Sequence, residues 1–247
     1  MILIKNITFF LWFYRFLFHI RENKKRIHQF RSLENDQAEQ TEIRIAEDIW
    51  GKSLCEKAGI RLSVSGLENI PDGPVVFVSN HQSYWDIPVF FAAIPHKQFG
   101  FIAKNDLEKL PAFGSWIYDV RSIFIERDDA RASLRAFEEG TELLKRGFSF
   151  TIFPEGTRSK GSQMGEFKKG SLRLATKAGV PVIPITLNGT YKAFEEKGYV
   201  CPTEVDFKIH PSISTKNLSK KESGELAEHV EAIIREGLTE FIPVQNN

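Results

Sequence analysis

Hydrophobic positions along the chain follow two rhythms. Residues 2–20, ILIKNITFFLWFYRFLFHI, hold fourteen apolar or aromatic side chains in nineteen positions. Through and beyond this run, Lys5, Thr8, Arg15, His19, Glu22 and Arg26 recur three, four or seven residues apart. At helical periodicity these positions line up as one polar stripe opposite a broad face of Ile, Leu and Phe. A polar connector near Glu34–Gln40 leads to a second helical pattern, about 41–58, where Ile45, Ile49 and Trp50 help form an apolar stripe and Gly59 supplies the stop signal. From there the rhythm shortens. RLSVSG (61–66), VVFVSN (75–80), FGFIAK (99–104), SIFIE (122–126), FSFTIF (148–153) and PVIPITL (181–187) read as strands. Helical stretches at 129–146, 168–178 and about 221–241 lie between and after them. Strands alternating with helices predict an α/β fold, a mixed and mostly parallel sheet flanked by helices, with an N-terminal membrane-anchoring helical pair. The expected division is residues 1–58 as a two-helix membrane-interface motif and 59–247 as the α/β domain. Pro181 and Pro184 place the last strand at a sheet edge or a bulge.

Composition narrows this picture. With 42% hydrophobic and 26% charged residues in 247, the chain is neither disordered nor fibrous and can bury one large core. The formal charge of +1 gives no reason to expect a nucleic-acid partner. That balance hides an asymmetry: residues 1–31 carry seven basic side chains against Glu22 alone, a net of +6, which leaves −5 on the rest. A basic arm on an acidic body is suited to an anionic surface. Cys55 and Cys201 are the only cysteines, which provides no disulfide framework and suits a reducing compartment.

The basic arm is also the most apolar segment, so a membrane role follows. No small-residue cleavage site marks it as a signal peptide. Its length barely meets the ~20 apolar residues of a spanning helix, and Arg15 and His19 interrupt it. A helix lying in the membrane interface fits best, with a spanning helix or a helix packed on its own domain as alternatives. In that arrangement Lys5, Arg15, His19 and Arg26 face headgroups, while Phe9, Phe10, Phe13, Phe16 and Leu17 enter the acyl zone. Seven of the thirty aromatic residues fall within 9–18, and aromatic rings favour that zone.

Two constellations carry chemistry. Asn80–Asp86, N-H-Q-S-Y-W-D, follows an apolar strand. On a straight helix His81 and Asp86 diverge by about 140°. They meet if the chain turns at Gln82–Ser83 and Asp86 folds back in a first helical turn. An Asp accepting from His Nδ1–H fixes the tautomer and leaves Nε2 as a base. No second His or Cys stands at ligand spacing, so a metal is not expected. Phe153–Ser159, F-P-E-G-T-R-S, follows another strand. Gly156 permits a tight turn whose N–H groups form an anion-binding concavity; Arg158 adds a planar fork for phosphate oxygens and Thr157 a hydroxyl. Glu155 would repel phosphate, and suits accepting from a substrate hydroxyl or orienting Arg158.

Together these blocks resemble the glycerolipid acyltransferase family, and within it the bacterial 1-acyl-sn-glycerol-3-phosphate acyltransferases. His81 and Asp86 match its His, four residues, Asp signature, and F-P-E-G-T-R-S matches its phosphate-binding block. K-N-D-L-E-K-L-P-A-F-G (104–114) with F-I-E-R (124–127), then F-K-K-G (167–170) and V-P-V-I-P-I (180–185), resemble the remaining blocks. Two positions depart from the pattern: Asp106 stands where Glu is commoner, and Asp119 where a small residue is common.

The resemblance implies acyl transfer from a thioester, carried by coenzyme A or acyl carrier protein, to the sn-2 hydroxyl of lysophosphatidic acid. His81 would be the base and Asp86 its orienting partner, with no cofactor. Lys104, Arg127 and Arg158 would hold the acceptor phosphate, with Gly156 and Thr157 completing the turn. The location implied is the cytoplasmic face of the inner membrane, monotopic, against anionic lipid. Another glycerolipid acceptor, a hydrolase of the same thioester or lipid, a non-catalytic phospholipid-binding module, and Cys55 or Cys201 as a covalent acyl carrier are the competing readings.

Overall fold

The computed structural model describes residues 2–110, 112–126, 130–168 and 170–241. Three helices precede the sheet rather than two: α1 (Ile2–His19), α2 (Arg21–Ser32) and α3 (Asp36–Ala58). The break at Ile20 divides the polar stripe read as continuous. Ile20 is buried and anchors the junction. α3 begins five residues before the expected start because the polar connector is its first turn. Asn35 caps it by accepting from Ala38 N at 3.1 Å, and Asp36 and Glu39 lie where the helix N-terminus favours negative charge.

The sheet contains β1 (Ile60–Ser65), β2 (Val76–Ser79), β3 (Gly100–Lys104), β4 (Ile123–Ile125), β5 (Phe150–Ile152), β6 (Val182–Asn188) and β7 (Thr203–Ile209). Their order is β1-β7-β6-β2-β5-β3-β4, parallel at every junction except the antiparallel β6–β7 pair. Helices α4 (Asp86–Ala93), α5 (Phe113–Asp119), α6 (Ala130–Lys145), α7 (Arg173–Ala178) and α8 (Lys220–Phe241) complete the described chain. The core strands β2, β5 and most of β6 are buried along their length, so they read as continuous apolar runs. β6 is an interior strand, not an edge. Its one proline, Pro184, is tolerated through a shift in register: Val182 pairs with Ile213, whereas Ile185 pairs with Ile209, one residue out of step. Pro184 lies in that bulge and needs only its carbonyl, which accepts from His210 N at 2.9 Å.

α3 lies against α4 at Gly51, where a Cβ would come within 2.6 Å of Ala92 N and Phe91 Cβ, too close for any side chain. Trp50 then packs among Phe13, Phe91, Phe113 and Trp116, with ring centroids 5.7–6.2 Å away. The basic arm is partly neutralised within the molecule. Lys24 and His28 meet the Asp119 carboxylate at 2.8 Å each, and Arg31 donates to the Asp119 carbonyl at 2.7 Å. Glu39, 1% exposed, takes Arg31 and a two-bond fork from Arg121 at 2.7–2.8 Å. Asp119 thus has a structural use here, docking α2 onto α5.

The face of α1 that packs inward differs from the expectation. Phe16 is buried, and Phe9, Phe13 and Leu17 lie half-buried against the core instead of pointing outward. Ile7, Phe10, Leu11, Tyr14 and Phe18 are the exposed apolar side chains, with Arg15 and His19 beside them. Among the described residues no helix is long and apolar enough to cross a membrane.

Candidate active site

The C-terminal ends of the parallel strands β2, β3, β5 and β6 deliver the site, as in other open α/β sheets. β2 runs into Asn80, whose side chain exchanges two hydrogen bonds with the backbone of Leu187 at 2.8 and 2.9 Å. The chain then turns at Gln82–Ser83 and enters α4 at Asp86. His81 Nδ1 lies 2.6 Å from Asp86 Oδ2. The same oxygen accepts from Gln82 N at 2.7 Å and Ser83 N at 3.1 Å, while Oδ1 accepts from Thr190 Oγ1 at 2.5 Å. Asp86 is completely buried, and these four donors compensate its desolvation. The His81 ring stacks on Phe153 with centroids 4.2 Å apart, and its Nε2 is the nitrogen left for chemistry.

After β5, Pro154 ends the strand and Gly156 takes φ +71°, the left-handed conformation that makes the tight turn possible. Gly156, Thr157 and Arg158 line a cavity of about 450 Å³ together with His81 and Lys104. Lys104, at the end of β3, also pairs with Asp106, whose carboxyl it holds below the usual range through a hydrogen bond and its charge. The deeper wall is apolar and aromatic, built from Ile87, Phe91, Phe101, Phe113, Trp116, Ile117 and Val120. One hollow therefore joins a base, cations and an apolar recess. Arg127 lies outside the described residues.

Glu155 does not meet Arg158. Its Oε1 accepts from His81 N at 2.7 Å and its Oε2 from Gly165 N at 2.8 Å, so its contacts are backbone staples between the two loops. Burial raises its carboxyl above the ordinary value, although those two N–H groups oppose the shift. Arg158 instead pairs with Glu195 at 2.9 Å and stacks 3.4 Å from the centre of the Tyr84 ring. Both cysteines are buried, and desolvation pushes the Cys55 thiol up to about 12, which is unsuited to a nucleophile.

The sequence reading overlooked the segment following β6. Leu187, Gly189, Thr190 and Glu195 grip residues 80–86 in succession: Gly189 N donates to Gln82 Oε1 at 2.9 Å, and Glu195 accepts from Ser83 Oγ at 2.5 Å and Tyr84 N at 3.0 Å. N-G-T-Y-K-A-F-E carries turn signals but no spacing that connects it to a loop more than 100 residues away.

Residues 61–188 match the family model described as Acyltransferase. A 1-acyl-sn-glycerol-3-phosphate acyltransferase from Pseudomonas aeruginosa is 36% identical over 191 residues, covering 76% of this chain and 73% of that protein. One from Borreliella burgdorferi is 33% identical over 181 residues, covering 72% and 70%. The crystal structure of the 1-acyl-sn-glycerophosphate (LPA) acyltransferase PlsC from Thermotoga maritima is similar with a TM-score of 0.78 at 32% identity, covering all of both chains. Family blocks, a paired His and Asp at a strand end and this shared architecture have one consequence: the chain belongs to the acyltransferase family.

Proposed function

We propose that the protein acylates lysophosphatidic acid at its sn-2 hydroxyl, using an acyl thioester of coenzyme A or acyl carrier protein, and releases phosphatidic acid. The observation that carries this is the His81–Asp86 contact of 2.6 Å opening into the same cavity as Arg158 and the Gly156 turn. An alcohol is a weak nucleophile at neutral pH, and a positioned base contributes ~10²–10⁴-fold. His81 Nε2 takes the hydroxyl proton as the oxygen attacks the thioester carbonyl. The tetrahedral intermediate collapses with cleavage of the C–S bond, and the thiolate leaves. Asp86 holds Nδ1–H and stabilises the imidazolium in the interim. Arg158, Lys104 and Arg127 bind the acceptor phosphate, with the Gly156–Thr157 turn beside them. Glu155 supports the site by fixing the backbone at His81. The apolar recess behind His81 suits an acyl chain.

Residues 1–58 serve as the membrane-interface motif of an enzyme bound to one leaflet on the cytoplasmic side, and 59–247 as the catalytic domain. The exposed Ile7, Phe10, Leu11, Tyr14 and Phe18 support this, because such a row is unusual on a surface facing water alone. Thiol release from acyl-CoA with lysophosphatidic acid present, with products identified by mass spectrometry, tests the reaction. Phosphatidic acid is the expected product. Free fatty acid would mean hydrolysis instead, and no thiol release would leave a binding module.

A further inference from the structure

We propose that Glu195 is a positioning residue that locks the phosphate-binding arginine to the catalytic loop, and so sets the distance between acceptor phosphate and His81. This rests on the acyl-transfer reading above. Glu195 lies just beyond a turn of 3₁₀ helix, Thr190–Ala193, and its side chain is 6% exposed. Its Oε2 accepts from Ser83 Oγ at 2.5 Å; its Oε1 accepts from Tyr84 N at 3.0 Å and from Arg158 Nη1 at 2.9 Å. Ser83 and Tyr84 stand between His81 and Asp86. One carboxylate therefore ties the loop that carries the base to the arginine of the other loop.

The arrangement leaves Arg158 little freedom. Glu195 takes one edge of the guanidinium, and the Tyr84 ring covers one face at 3.4 Å. The donors that remain belong to a side chain lining the cavity. An arginine ordered before the substrate arrives loses less rotamer entropy on binding, which is a gain in affinity without any new contact. Judged by charge alone, an anion beside a phosphate site weakens it. A carboxylate buried there is explained by geometry, because two oxygens with several lone pairs can gather a hydroxyl, an N–H and a guanidinium at once.

Substitutions separate geometry from charge. Glu195→Gln keeps an oxygen for Tyr84 N and Arg158 and offers an amide to Ser83 Oγ, but removes the charge. Glu195→Asp keeps the charge and is one methylene too short to bridge both loops. Purified full-length variants are assayed for phosphatidic acid formation with acyl-CoA and lysophosphatidic acid in mixed micelles. Glu195→Ala and Glu195→Asp are expected to raise the acceptor KM about tenfold and lower kcat, while the donor KM stays within about twofold. Glu195→Gln recovers activity to within about threefold of wild type, and in an Arg158→Ala background Glu195→Ala adds less than about twofold.

An unchanged acceptor KM in Glu195→Ala, or additive losses in the Arg158→Ala background, overturns the assignment. So does a Gln variant as impaired as the Asp variant. If Glu195→Ala fails to fold, the Gln and Asp pair decides alone: Gln active with Asp impaired supports the lock, and the reverse overturns it. A wild-type protein that forms no phosphatidic acid overturns the functional reading and this inference together. An active wild type insensitive at position 195 sinks only the inference.

Discussion

Replacing Asp86 by Asn tests how the base is held. In a serine hydrolase triad the equivalent change is severe because the amide can turn its NH2 toward the histidine and favour the wrong tautomer. Here the surroundings oppose that turn. Three donors converge on Asp86 Oδ2: His81 Nδ1, Gln82 N and Ser83 N, at 2.6, 2.7 and 3.1 Å. An NH2 placed there would face two backbone N–H groups, whereas an amide oxygen accepts from all three. The NH2 then falls at Oδ1, beside Thr190 Oγ1, a hydroxyl able to accept instead of donate. The tautomer survives and the loss is that of a charge. Exchanging a charge-assisted hydrogen bond for a neutral one costs about 1–2 kcal/mol, so kcat falls roughly 5–30-fold. His81→Ala loses the base outright and falls ~10²–10⁴-fold. Asp86→Ala instead strands Gln82 N and Ser83 N at ~1–3 kcal/mol each, leaves Thr190 Oγ1 only its 3.3 Å contact with Gln82 Oε1, and lowers thermal stability as well as rate. The measurement is kcat from continuous thiol release at saturating acyl-CoA and lysophosphatidic acid, alongside the melting temperature of each variant. Should Asp86→Asn drop as far as His81→Ala while melting like wild type, the amide has turned and the reasoning from the three donors is wrong.

Arg158→Ala removes one charge-assisted contact, ~1.5–3 kcal/mol, and should raise the acceptor KM about 10–100-fold while sparing the donor KM; initial rates with each substrate varied in turn would reveal a reversed pattern. Leu11→Lys with Phe18→Lys, on the exposed face of α1, should reduce co-sedimentation with neutral phosphatidylcholine vesicles without lowering the melting temperature. Equal binding by the double variant would exclude that face from membrane contact. Glu47 is 2% exposed, and burial raises its carboxyl well above the ordinary value of 4.5, more than the opposing backbone hydrogen bond from Phe99 and the charge of Arg44 lower it. A raised acid pKa contributes stability that is complete below the unfolded value and is lost as pH climbs toward the folded one. Glu47→Gln should therefore gain melting temperature relative to wild type between about pH 5 and pH 8, and a pH-independent difference would contradict the assigned cause.

What the sequence disclosed follows from how local the signal was. β2, β5 and β6 are short apolar runs bounded by turn residues, and they are strands because both sheet faces are covered. The His81–Asp86 turn was legible because its parts lie five residues apart and one geometry reunites them. β7 was passed over although Val205, Phe207 and Ile209 are its buried alternate positions, a period-two pattern in plain view. α4, D-I-P-V-F-F-A-A, was read only as a first helical turn at Asp86, and its extent was concealed for a physical reason: it is apolar on nearly every side and carries Pro88. That proline lies in the first turn, where helical N–H groups have no intrahelical partner in any case. Thr190 and Glu195 were beyond reach, since nothing local distinguishes a Glu that meets a loop 112 residues earlier from one that faces water.

The error over α1 is the more instructive one. Thr8, Arg15 and His19 of the expected polar stripe are exposed, but a helix apolar on both sides of a polar strip has two apolar flanks, and periodicity cannot say which meets protein. Tertiary packing decides. Phe9 lies on Trp85 with ring centroids 5.5 Å apart, and Phe13 lies 6.2 Å from both Trp50 and Phe113. Those contacts claim one flank and leave Ile7, Phe10, Leu11, Tyr14 and Phe18 outward. Trp85 immediately precedes Asp86, so α1 rests directly on the turn that holds His81 and Asp86. If the outward flank sinks into a leaflet, the bilayer fixes α1, and α1 fixes the height of His81 above the acyl zone through a single aromatic contact. Membrane attachment and alignment of the base with a lipid hydroxyl then have a common structural origin, which two separable modules would not provide.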